Sequence, residues 1–177
     1  MIKPFLKDET LIADIQRAAA DHSSFHLWWL GQSGLFLQWQ GRHLLLDPYL
    51  FDSLTHKYAN TDLPHIRMTE LVIDPGRLDF IDVVTSRHNH TDHLDAETLI
   101  PLMKANPKLK LVIPEANRSF VTAATPFGMM RSWRSCKTFP SMWRFCPSMA
   151  AKLIAGWLGI STPKEPRHSR RKSARDY

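Results

Sequence analysis

The stretch Phe80-Ile81-Asp82-Val83-Val84-Thr85-Ser86-Arg87-His88-Asn89-His90-Thr91-Asp92-His93 decides how the rest of the chain is read. Its first half is apolar and β-branched, the composition of a buried strand. Its second half gathers three histidines and an aspartate into six residues, in the pattern His-x-His-x-Asp-His. Asp95 then suits the N-cap of a helix running through Asn106, with Leu99, Ile100, Leu102 and Met103 turned inward. Four side chains able to ligate a metal therefore sit on one loop between a strand and a helix.

Working outward, Asp8-Glu9-Thr10 can open a helix to about His22, with Leu11, Ile12, Ile15 and Ala19 on one face. Residues 25–30, 35–39 and 42–47 read as three strands, joined by a turn at Gly31-Gln32-Ser33-Gly34 and a tight turn at Gln40-Gly41. Beyond the central loop, Leu109–Ile113 reads as another strand and Pro114-Glu115 as a helix start. A meander followed by alternating strands and helices predicts an α/β layered domain.

The 177 residues carry a net charge of +6 and are 44% hydrophobic, which argues against wholesale disorder. Two cysteines, Cys136 and Cys146, exclude a disulfide-built scaffold. No apolar run reaches the ~20 residues of a spanning helix, and the N-terminus lacks a signal-peptide core, so a cytoplasmic protein is expected. The charge is segregated: residues 1–120 carry 12 basic and 15 acidic side chains, residues 121–177 carry 11 and 2. Expected units are an N-terminal helix (1–24), a layered half-domain (25–121), an aberrant segment without sustained period, poorly ordered or helical (122–162), and a basic disordered tail (163–177). The tail reads as a solvated end. Contact with nucleic acid or an anionic surface is its alternative use.

Imidazole and carboxylate donors suit zinc, and also iron or manganese. His88 and His90 are two apart and point the same way in an extended segment. Asp92 and His93 fall where the chain turns into the helix and can face the first pair. Two metals sharing an acidified water fit that geometry. Single loop histidines are usually mere surface residues, but three with Asp92 at this spacing favour a metal site. His26, His43, His56 and His65 read as structural or exposed, and Trp28, Trp29 and Trp39 as core or sheet-face residues.

The motif His88-Asn-His-Thr-Asp-His93 resembles the signature of the metallo-β-lactamase-fold hydrolases. Trp29-Leu-Gly-Gln-Ser-Gly34 and His43-Leu-Leu-Leu-Asp-Pro-Tyr49, with Asp52 behind it, resemble the branch of L-ascorbate-6-phosphate lactonases and N-acylphosphatidylethanolamine phospholipases D. The resemblance covers about residues 25–121. It implies a partial metallo-β-lactamase-like αββα sandwich, its N-terminal half, with an irregular C-terminal region. It implies His88 and His90 as ligands of a first divalent metal, most simply zinc, and Asp92 and His93 as ligands of a second. Asp92 is also assigned to catalysis. Asp47 resembles the family's buried aspartate that braces the metal loop, although a turn aspartate before Pro48 fits as well. The implied reaction is hydrolysis of a small-molecule lactone, phosphodiester, ester or amide by metal-activated water.

The chain departs from that family after His93. Three further ligands are expected there, yet the only later histidine is His168, in the basic tail. The expectation is a truncated chain holding about half a metal site, with impaired or absent turnover and an uncovered sheet face. The segment Ser-Met-Trp-Arg-Phe-Cys-Pro-Ser-Met-Ala-Ala, residues 141–151, permits codons that read Asp-Val-Ala-Phe-Leu-Pro-Ile-Asn-Gly-Arg in another frame, close to a late strand of the family. The expectation is a frameshift near Gly128, joined to a loss near Val121 to Thr125, which would account for the Trp, Cys, Met and Arg crowding there.

Overall fold

A computed structural model of the chain describes residues 1–117 and the backbone of residues 133–136. Its first element is helix α1, Asp8–Ala18, entered through Thr10, whose hydroxyl accepts from the Lys7 N–H at 2.9 Å and donates to the Lys7 carbonyl at 2.7 Å. Leu11 and Ile15, four residues apart, form its buried stripe. The meander follows as β1 (His26–Trp29), β2 (Leu35–Trp39) and β3 (Arg42–Leu46). Between β2 and β3, Gln40 and Gly41 both take positive φ, 47° and 69°, the two-residue turn whose twist matches an antiparallel pair. Then come a short helix α2 (Ser53–Tyr58), strand β4 (Val83–Thr85), helix α3 (Ala96–Ala105), strand β5 (Lys110–Pro114) and strand β6 (Trp133–Cys136).

The six strands form one sheet in sequence order, antiparallel from β1 to β3 and parallel from β3 to β6. Register aligns Trp28, Phe36, Leu45, Val84 and Leu111 across five strands. That row packs against Leu11 and Ile15 of α1 and Leu99 and Leu102 of α3. Leu45, Val84 and Leu102 are fully enclosed, and complete burial of such a side chain stabilises the fold by roughly 1.5–3 kcal/mol. Neighbouring rows point the other way, and there Leu27 and Trp29 on edge strand β1 are 52% and 58% exposed. The expected α/β fold, a partial layered sandwich, is the one observed.

Several strand ends differ from the sequence reading by a residue, and some elements differ by more. Helix α1 ends at Ala18 rather than near His22. Strand β4 begins at Val83 rather than Phe80, because the Ile81 N–H is taken by the Asn106 side chain at 2.8 Å. Strand β6 lies inside the 122–162 segment read as poorly ordered or helical. Pairing with the edge of β5 satisfies its backbone and requires no side-chain alternation. The rest of that segment, with Cys146, residues 141–151 and the 163–177 tail, lies outside the described residues. Among the described residues no helix is long and apolar enough to cross a membrane.

His43 is expected to make the fold sensitive to acid. Its ring stacks on Phe36 at 6.0 Å and meets Phe80 edge-on at 5.2 Å. Burial lowers its pKa below the ordinary 6.5, against the opposing pull of the Asp82 carboxylate. The folded chain thus holds a neutral imidazole, whereas the unfolded chain takes up a proton as pH falls through about 6.5. The stability this group contributes is complete above that pH and declines below it. Urea midpoints should drop between pH 7.5 and 5.5, and His43→Gln should flatten part of that drop.

Candidate metal centre

Asp47 follows β3 and Ser86 follows β4, so both stand at the carboxyl ends of adjacent parallel strands. From Arg87 to His90 the chain bends, and the His90 carbonyl then accepts from the His93 and Leu94 N–H groups at 2.9 and 2.8 Å. The segment is therefore bent, not extended as alternation assumed. The structure brings His88, Asp92 and His93 together, one donor atom from each lying within 4.8 Å of the others. His90 is exposed and outside this group, although its ring meets that of His88 edge-on at 4.5 Å. The rings of His88 and His93 are 4.0 Å apart.

His93 is 8% exposed and has two differently occupied faces. Its Nε2 lies 3.4 Å from Asp92 Oδ2, about the 3.4 Å edge that two donors make when each sits ~2.1 Å from one tetrahedral ion. Its Nδ1 lies 3.4 Å from Asp47 Oδ1 and makes no well-formed hydrogen bond. A carboxylate behind one ring nitrogen leaves the other free to ligate. His88 is held below its ordinary pKa by burial first and then by neighbouring His93 and His90, which keeps a lone pair available near neutral pH. Two imidazoles and a carboxylate with these spacings fit a divalent ion such as zinc.

Asp47 anchors the loop from behind. It is buried and adopts a left-handed backbone, φ 43°, a conformation aspartate tolerates better than most residues. One carboxylate oxygen accepts the Arg87 N–H at 2.7 Å and the other the Arg87 Nε. Burial pushes its pKa up, but His93, the Arg87 N–H and the Arg87 guanidinium together hold it below the ordinary 3.8. At the far end of the loop, Asp95 caps α3 through the Thr98 N–H at 3.0 Å and accepts the Ser53 hydroxyl at 2.6 Å.

Two supports were not foreseen from the sequence. The Ser86 hydroxyl donates to the His88 carbonyl at 3.0 Å, and Ser33 Oγ lies 2.6 Å from the Asp92 carbonyl oxygen. For Ser33 the one available signal was its place between two turn glycines. Arg67, 3% exposed, was missed as well. It donates to the carbonyls of Thr69, Phe51 and Tyr49 and lies 4.9 Å over the Tyr49 ring, so it braces the loop after β3.

A half-parallel α/β sheet with a His–Asp–His cluster at its carboxyl edge defines a class, and residues 26–143 match the model of the beta-lactamase superfamily domain. The chain belongs to that family, which is generally metal-dependent. Among its relatives is the N-acyl-phosphatidylethanolamine-hydrolyzing phospholipase D, mitochondrial, of Saccharomyces cerevisiae, 32% identical over 95 residues, covering 54% of this chain and 19% of the relative. Another is the probable L-ascorbate-6-phosphate lactonase UlaG of Shigella dysenteriae, 23% identical over 107 residues, covering 51% of this chain and 30% of the relative. The chain thus spans less than a third of the length of these curated relatives. Both relatives are named as hydrolytic enzymes.

Proposed function

We propose that this chain carries the metal-binding loop of a metal-dependent hydrolase that opens a lactone, phosphodiester, ester or amide in a small-molecule substrate. The observation that carries the reading is the convergence of His88, Asp92 and His93 on one point. These residues would hold zinc, with His90 near enough to join after a change of rotamer. A zinc ion so held supplies Lewis acidity and makes water a nucleophile near neutral pH. Asp47 stands behind His93 and would orient its ring, while His93 and the Arg87 contacts together favour the ionised Asp47 carboxylate. Asp92, less buried than His93, is the carboxylate we assign to both metal ligation and catalysis.

Turnover by the 177-residue polypeptide itself is proposed to be slow or absent, because the histidines and aspartate that complete the family's site are not found at matching positions after His93. Equilibrium dialysis of the full chain against zinc should give stoichiometric binding that a chelator reverses. Assays on an aryl phosphodiester, a lactone and an aryl ester should show at most slow, zinc-dependent hydrolysis. A chain that retains no zinc at saturating concentration would sink the reading.

A further inference from the structure

The Gly31–Gly34 turn reaches the metal loop through one side chain. Ser33 Oγ lies 2.6 Å from the Asp92 carbonyl oxygen and 3.0 Å from the Asp47 carbonyl oxygen. A hydroxyl has one proton to donate, so the shorter contact takes the main hydrogen bond and the longer one shares it. Either way the two carbonyls are drawn to one point, although Asp92 is 59 residues from Ser33.

The turn that presents this hydroxyl is itself held firmly. Gly34 N–H donates to the Gly31 carbonyl at 3.0 Å, and Leu30 N–H to the Gly34 carbonyl at 2.9 Å. Trp29 Nε1 donates to the Gln32 carbonyl at 3.0 Å. Gly31 has φ +85°, and a Cβ there would come within 2.5 Å of Thr69 Oγ1, so the turn lies flush against Thr69. A donor on such a turn can fix a partner's position rather than follow it.

We propose that Ser33 is a positioning residue of the metal centre, its hydroxyl clamping the Asp92 main chain to the end of β3 so that the Asp92 carboxylate stays in register with His88 and His93. The inference rests on the reading that those three residues hold a metal. Asp92 Oδ2 stands 3.4 Å from His93 Nε2, and a displaced Asp92 backbone would open that distance.

The test is competition titration of the full chain with zinc and a chromophoric chelator, alongside melting of the metal-free chain and the visible spectrum of the cobalt-loaded chain. Ser33→Ala should weaken zinc binding by about tenfold or more and alter the cobalt spectrum, with a comparatively small change in metal-free melting. Ser33→Thr, which restores the hydroxyl, should recover most of the affinity. If Ser33→Ala does not fold, Ser33→Thr and Ser33→Val, alike in shape and different in the hydroxyl, decide in its place. Zinc affinity that is the same with and without the hydroxyl overturns the proposal while leaving the metal reading intact. Failure of the unaltered chain to bind zinc removes both.

Discussion

His93→Ala should weaken zinc binding by more than about 100-fold. Loss of a residue that merely supports a ligand typically costs about 10–100-fold in affinity, and here the ligand itself is removed. His93 is the buried member of the cluster, with one nitrogen turned to Asp92 and the other to Asp47. Its ring also lies against that of His88. An alanine would leave two donors and an Asp47 carboxylate with no imidazole to orient. The apolar core, built from α1, α3 and the sheet, does not include His93, so the variant should remain folded by circular dichroism. His22→Ala, at an exposed position, is the control expected to bind zinc normally. Unchanged zinc affinity in His93→Ala would remove this residue from the site.

Asp47→Asn should destabilise the chain by about 1–3 kcal/mol and weaken zinc binding by roughly 10–100-fold. Asparagine keeps the volume and tolerates the left-handed backbone at this position. One side-chain oxygen can still accept the Arg87 N–H. The new amide nitrogen, however, then faces the Arg87 Nε, donor against donor. The substitution also removes a proton-linked contribution. Because the folded pKa of Asp47 lies below 3.8, its stabilisation is present above about pH 3.8 and is lost as pH falls through the folded value. Acid denaturation of Asp47→Asn should accordingly be less steep below pH 4. Denaturation curves for the two chains that coincide across this range would show that Asp47 does not brace the loop.

The parts of this molecule that are written locally are legible in its sequence. The amphipathic spacing of Leu11 and Ile15, the Gln40-Gly41 turn and the Asp95 cap each depend on residues within one turn of one another, and each is found where expected. The parts that depend on distant contacts are not legible. Arg67 becomes a buried brace only through carbonyls up to 18 residues away, and the Asp47–Arg87 pair spans 40. The candidate site falls between these cases. Its residue types announce a metal loop, but the grouping of His88 with Asp92 and His93 follows from a turn closed by the His90 carbonyl. Alternation in an extended segment did not foresee that turn, although the rings of His88 and His90 still meet at 4.5 Å. Strand β6 escaped notice because an existing edge organises it, whatever its hydrophobic pattern.

The three clustered donors are close in the chain, four residues and then one residue apart. Capturing an ion with them closes only a very short loop, which costs little entropy. The sheet that carries them is assembled by its own hydrocarbon interior. On the proposed reading, loading and unloading would be late, reversible events on an already folded chain, unlike those of zinc fingers, whose folding waits on the metal. Occupancy in a cell would then follow the free-zinc level rather than the folding history of each molecule.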